Sequence, residues 1–161
     1  MSDKLPTRKR IRLPEFDYDS HGMYFITVCT KDKACILSDI TVGTVIDRPP
    51  DVVLTEYGRI VEEAILNIPA VYPSVQVEKY VIMPNHIHLL LFLSHDNGRP
   101  MVVPTVSRVV QQLKGFVSKR IGRPIWQKRF YDHVIRNYSD YRDIWTYIEN
   151  NPARWSLDEY Y

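Results

Sequence analysis

Two cysteines and six glycines are all that this 161-residue chain carries of either type, and no Gly-x-x-x-x-Gly-Lys phosphate loop occurs in it. The first scarcity argues against a disulfide framework: Cys29 and Cys35 could meet across a hairpin, but in a chain with no export signal they read as reduced core thiols. The missing loop argues against nucleotide-driven chemistry. No apolar run is long enough to cross a bilayer; the longest uncharged stretch, Val81 to Ser94, is too short and contains two histidines. The basic start, with Lys4, Arg8, Lys9, Arg10 and Arg12, is followed by no apolar segment before Met23, so it does not read as a signal peptide, and a cytoplasmic location is expected. Net charge is only +2, and no repeat or low-complexity tract stands out. At 45% hydrophobic and 25% charged, the length suits one well-buried domain. We divide it into a basic arm, residues 1–22, and a single domain, residues 23–161.

The richest signal is His86-Ile87-His88, inside the apolar run from Tyr80 to Leu93. In a strand, residues two apart share a face, so both imidazoles emerge side by side while Ile87, Leu89, Leu91 and Leu93 fill the other face. Two neutral imidazoles so placed can ligate one divalent cation. A His-x-His pair taken alone is more often two hydrogen-bonded core histidines.

A second signal lies in Ser139 to Pro152. Ser139 suits an N-cap and Pro152 a stop, and Tyr141, Ile144, Trp145 and Ile148 recur at helical spacing as a buried stripe. Tyr147 lies roughly 110° from the centre of that stripe, with Asp143 and Asn151 one turn to either side. It can present its hydroxyl to a cleft; a half-buried tyrosine with a solvated hydroxyl fits the same geometry.

Elsewhere, Met23–Lys31 and Ala34–Leu37 alternate like strands, and Thr55–Ile68 reads as an amphipathic helix ending at Pro69. Val75–Met83 and His86–Leu93 read as strands joined by a Pro84-Asn85 turn, and Thr105–Ile121 as a helix closed by Gly122. Ser38–Asp51 and Ser94–Pro104 read as loops. This order predicts an α+β, ferredoxin-like or RRM-like sandwich: an antiparallel sheet, helices packed on one face, and a C-terminal helix carrying the tyrosine.

Charge is segregated. From Thr105 to Arg136 the chain carries Arg108, Lys114, Lys119, Arg120, Arg123, Lys128, Arg129 and Arg136 against Asp132, whereas Glu56, Glu62 and Glu63 outnumber Arg59 in the preceding helix. Trp126, Phe130 and Tyr131 within the basic stretch offer surfaces for unpaired bases. We therefore nominate Arg8, Lys9, Arg10 and Arg12 of the arm, with Arg108, Lys114, Lys119, Arg120, Trp126, Lys128, Arg129 and Arg136, as DNA contacts.

Pro84-Asn85-His86-Ile87-His88-Leu89-Leu90, then Trp126-Gln127-Lys128-Arg129-Phe130-Tyr131-Asp132-His133-Val134-Ile135-Arg136-Asn137, then Tyr147-Ile148-Glu149-Asn150-Asn151-Pro152 resemble, in this order and spacing, the single-tyrosine HUH transposases. More narrowly they look like the REP-associated tyrosine transposases, and Met23–Lys31 looks like that family's first strand. The resemblance implies that His86 and His88 bind a metal, that Tyr147 is the nucleophile, and that Asn151 completes the metal site. It implies cleavage and rejoining of single-stranded DNA with hairpin or palindromic elements, through a 5′-phosphotyrosine and a free 3′-hydroxyl. Imidazole ligands lean towards Mn²⁺ over Mg²⁺ in a test tube, even where Mg²⁺ serves in a cell. A non-catalytic nucleic-acid-binding domain on the same scaffold is the alternative, and a monomer or homodimer is expected.

Overall fold

The computed structural model describes residues 21–41, 50–94 and 104–157. The basic arm, with Arg8, Lys9, Arg10 and Arg12, lies outside the described residues, as does most of the expected loop from Ser94 to Pro104.

Strand β1 (His21–Cys29) begins slightly before the expected domain boundary. Two short strands, β2 (Ser38–Thr41) and β3 (Asp51–Leu54), pair with each other at the ends of the segment expected to be a loop. Helix α1 (Glu56–Leu66) and the single turn α2 (Ile68–Val71) follow, then β4 (Val75–Ile82) and β5 (His86–Ser94). Helix α3 (Val106–Ile121), β6 (Tyr131–Ile135) and α4 (Tyr138–Asn150) complete the frame, with a 3-10 turn over Pro152–Leu157.

The main sheet has the order β4-β5-β1-β6, antiparallel throughout, which is the split βαβ arrangement of the ferredoxin-like fold. Its two central strands are buried on both faces. Ile87, Leu89, Leu91 and Leu93 of β5 join Ile26 and Val28 of β1 in one core, with α1 and α3 packed over it through Val61, Ile65, Val110 and Leu113. Phe25, Leu90 and Ile135 point the other way and are covered by Ile144 and Ile148 of α4. Helices α1 and α3 thus share one face as expected, and the tyrosine helix takes the opposite one. The physical reason is that a central strand apolar on both faces needs cover on both.

Local chemistry sets the boundaries. Thr55 caps α1, its hydroxyl accepting from the Gly58 N–H at 3.1 Å, and Thr105 caps α3 in the same way. Gly122 ends α3 at φ 91°, a left-handed conformation that suits glycine. Ala34–Leu37 is not a strand: Asp32 and Lys33 adopt φ of 56° and 53°, turning the chain out of extended geometry just beforehand. The cap of α4 is Asn137, not Ser139; its side-chain oxygen accepts from the Asp140 N–H at 2.8 Å. Neither cysteine is in a disulfide; Cys29 is half-buried and Cys35 exposed, so Cys35 is no core residue. Among the described residues no helix is long and apolar enough to cross a membrane.

Candidate active site

Strand parity decides which side chains meet. His86 and His88 lie on the α4 side of β5, 0% and 1% exposed, with ring centroids 4.6 Å apart. Antiparallel register sets Thr27 of β1 opposite His88, and the Thr27 hydroxyl shares a 2.8 Å hydrogen bond with His88 Nδ1. His86 Nδ1 meets Asn85 Oδ1 at 2.7 Å. A carboxamide oxygen only accepts, so His86 Nδ1 carries the ring proton and Nε2 keeps its lone pair. Each ring is therefore fixed through Nδ1 by a neighbour, the arrangement usual for metal-binding imidazoles.

Helix α4 crosses this face and brings Tyr147 to it. The phenol ring lies 5.3 Å from the His88 ring and 6.0 Å, edge-on, from Phe25. One turn later Asn151 is 2% exposed and neighbours His86. The sequence expectation that Tyr147 sits on the flank of its helix, beside Asn151, matches this geometry. All four nominated site residues come together between β5 and α4. The ring of Trp155, in the turn that follows, is 6.1 Å from His86 and tilted by 30°.

Burial holds His86 down to about pKa 4, opposed by a side-chain hydrogen bond with Asn151 that favours the protonated ring. His88 is lowered well below the ordinary histidine range, first by burial and then by His86. Both rings are neutral at pH 7, the form that donates to a cation. No group of three His, Cys, Asp or Glu side chains gathers to hold a metal among the described residues. The side chains here that could hold a divalent ion are the two imidazoles and the Asn151 amide, donors that suit Mn²⁺.

The nominated DNA contacts divide. Lys128, Arg129, Lys119 and Arg108 are exposed and Arg136 is half-buried. Three others serve the fold. Trp126 is 8% exposed within the larger core and offers no free ring face. Lys114 Nζ donates to the carbonyl of Gln127 at 2.7 Å and to those of Lys128 and Arg129 at 3.4 Å. Arg120 pairs with Glu63 of α1 at 3.2 Å, on the side of the sheet away from Tyr147. Charge pattern alone could not show that Lys114 and Arg120 have partners within the fold.

Sequence reasoning also missed residues. Thr27 and Asn85 orient the imidazoles, and His133 with Asp140 ties β6 to α4 at 2.8 Å. Asn85 carries a weak signal, its place in the turn directly before His86. Thr27, His133 and Trp155 carry none without the strand register and helix placement.

No family model matches the chain. An uncharacterized protein of Haemophilus influenzae is 31% identical over 174 residues, covering 96% of this chain and 93% of that protein. A REP-associated tyrosine transposase of Escherichia coli K12 is 29% identical over 108 residues, 67% of this chain and 61% of that protein. A solved REP-associated tyrosine transposase bound to a REP hairpin superposes with a TM-score of 0.63 at 23% identity, over 92% of this chain and 77% of its own. At that identity the superposition speaks for the fold, α+β with helices packed on an antiparallel sheet. A putative REP-associated tyrosine transposase of Haemophilus influenzae is 27% identical over 147 residues, 86% of this chain and 74% of that protein, and with these two named relatives the chain belongs to the REP-associated tyrosine transposases and is an HUH-type transposase enzyme.

Proposed function

We propose that this transposase cuts and rejoins single-stranded DNA next to a hairpin, through a covalent link between Tyr147 and a 5′-phosphate. The observation that carries the reading is the approach of the Tyr147 ring to within 5.3 Å of His88, on the face where His86 also emerges. The solved relative's REP hairpin suggests the substrate class.

His86, His88 and Asn151 would hold the divalent ion. Bound there, it supplies positive charge to a non-bridging phosphate oxygen as charge develops in the transition state. The residues themselves do the rest. Thr27 and Asn85 each engage one imidazole through Nδ1 and so fix the orientation of both rings. Helix α4 holds the phenol over the site. In the forward step the Tyr147 oxygen loses its proton and forms a bond to phosphorus; the bond to the 3′-oxygen breaks, and that oxygen leaves as a hydroxyl after taking up a proton. The phosphodiester count is unchanged, so the reverse attack by a 3′-hydroxyl rejoins a strand without a nucleotide cofactor.

The test is a denaturing gel of protein incubated with labelled hairpin DNA and Mn²⁺. A protein–DNA adduct that disappears in Tyr147→Phe and His86→Ala supports the covalent route. Cleavage that persists in Tyr147→Phe would show water as the nucleophile and overturn it.

A further inference from the structure

Three aromatic side chains lie in the basic segment before β6, and the fold treats them differently. Trp126 is buried in the core, and Phe130 packs half-buried against it with Lys114 Nζ 5.9 Å from its ring. Tyr131 is 44% exposed. It opposes Thr27 across the β1–β6 ladder, and Thr27 in turn opposes and bonds His88. Directly opposed residues of an antiparallel pair share a face, so Tyr131 stands on the histidine side of the sheet. Two strand spacings separate it from His88, about 10 Å at the backbone.

The helix that covers this face stops short of it. His133 and Ile135, the next residues of β6 on the same side, lie under α4: His133 bonds Asp140, and Ile135 packs with Ile144 and Ile148. Asp132 opposes Ile26, a residue of the other core, so its carboxylate belongs to the far face. Lys128 and Arg129 are exposed immediately before Tyr131, on a backbone clamped through the carbonyls that Lys114 holds. An exposed phenol ring therefore stands on the histidine side of the sheet, with two exposed cations just before it in the chain. That combination suits an unpaired base stacked on a ring with its phosphates on lysine or arginine.

We propose that Tyr131 is a stacking platform for the unpaired nucleotide flanking the phosphate to be cut, and so helps to choose which phosphate reaches Tyr147. This rests on the cleavage reading above and adds how the single-stranded flank is held.

The experiment measures anisotropy of a labelled hairpin bound by the wild-type protein, with and without a single-stranded flank, and scans an abasic site through the flank. Tyr131→Ser is expected to lose about tenfold in affinity for the flanked hairpin, the scale of one base–aromatic stack, with no change on the blunt hairpin; Tyr131→Phe restores it. One abasic position should cost the wild type a similar factor and cost Tyr131→Ser nothing more. Equal losses on both hairpins, or additive losses from the variant and the abasic site, overturn the stacking role. In that case an intact Tyr147 adduct leaves the cleavage reading standing, whereas a wild type that neither binds the hairpin nor forms an adduct overturns both. If Tyr131→Ser fails to fold, the wild-type scan decides: a flank with no sensitive position overturns the proposal.

Discussion

Nε2 of His133 and Oδ2 of Asp140 meet at 2.8 Å, both side chains buried, and the contact fastens β6 to the first turn of the helix that carries Tyr147. Asp140→Ala leaves a buried imidazole without its partner, at a cost of about 1–3 kcal/mol in stability. The same change frees the start of α4. Expected is a lower melting temperature together with slower adduct formation and unchanged hairpin affinity, with Asp140→Asn intermediate. A loss of hairpin binding in parallel would instead place the pair in the DNA interface.

Thr27→Val removes the hydroxyl that orients His88 while keeping the side chain's shape. Metal affinity should fall about 10–100-fold, as for other groups that orient a ligand from behind. Mn²⁺ titration followed by calorimetry reads this directly, and the melting temperature without metal serves as the control on folding.

Chelation should stop cleavage and leave the fold nearly untouched, because His86 and His88 are positioned by strand pairing. Circular dichroism before and after chelator, followed by Mn²⁺ add-back with a return of the adduct, checks both halves. Unfolding on chelation would mean that the ion is structural.

Gly58 sits where α1 meets the segment leading into β2. A Cβ there would stand 2.0 Å from the Leu37 carbonyl oxygen, too close to coexist. Leu37 N–H also donates to the Pro84 carbonyl, in the turn before the histidines. Gly58→Ala should cost about 1–3 kcal/mol, the usual range for overpacking, measured by urea denaturation.

Tyr80 is pushed up to about pKa 12, first by burial and then by its hydrogen bond to Glu62 and that residue's charge. An unfolded tyrosine ionises near 10. Between these values the unfolded chain has released a proton that the native one retains, so stability falls as pH rises through the window and is unaffected below it. Tyr80→Phe should flatten that alkaline limb in denaturation curves taken across it.

Periodicity carried much of this structure. The apolar face of β5, the stripes of α1 and α3, and the caps at Thr55 and Thr105 were legible because each rests on neighbours close in sequence. Strand β6 was not: Tyr131–Ile135 is a short edge strand whose exposed Tyr131 and Asp132 give it no apolar alternation to notice. Strands β2 and β3 escaped for the same reason, being four residues each and largely polar or exposed. In the site, His86, His88, Tyr147 and Asn151 could be nominated from spacing and resemblance. Their shared face depends on α4 crossing the sheet opposite α1 and α3, which no local pattern encodes. Lys114 and Arg120 show the limit from the other side, since a cation's partner in the fold, a loop carbonyl or a glutamate on another helix, is invisible along the chain.

Because β5 is hydrogen-bonded on both edges and covered on both faces, its amides should be the last in the molecule to exchange with deuterium, released only by global opening. The two histidines thus belong to the most cooperative unit of the protein, and local fluctuations leave their separation intact. Helix α4 packs on that unit through side chains such as Ile144 and Ile148, and among the described residues no ladder of backbone bonds joins it to the sheet. In the reaction proposed above, the tyrosine would be the partner able to travel, with the pair of histidines as its fixed point.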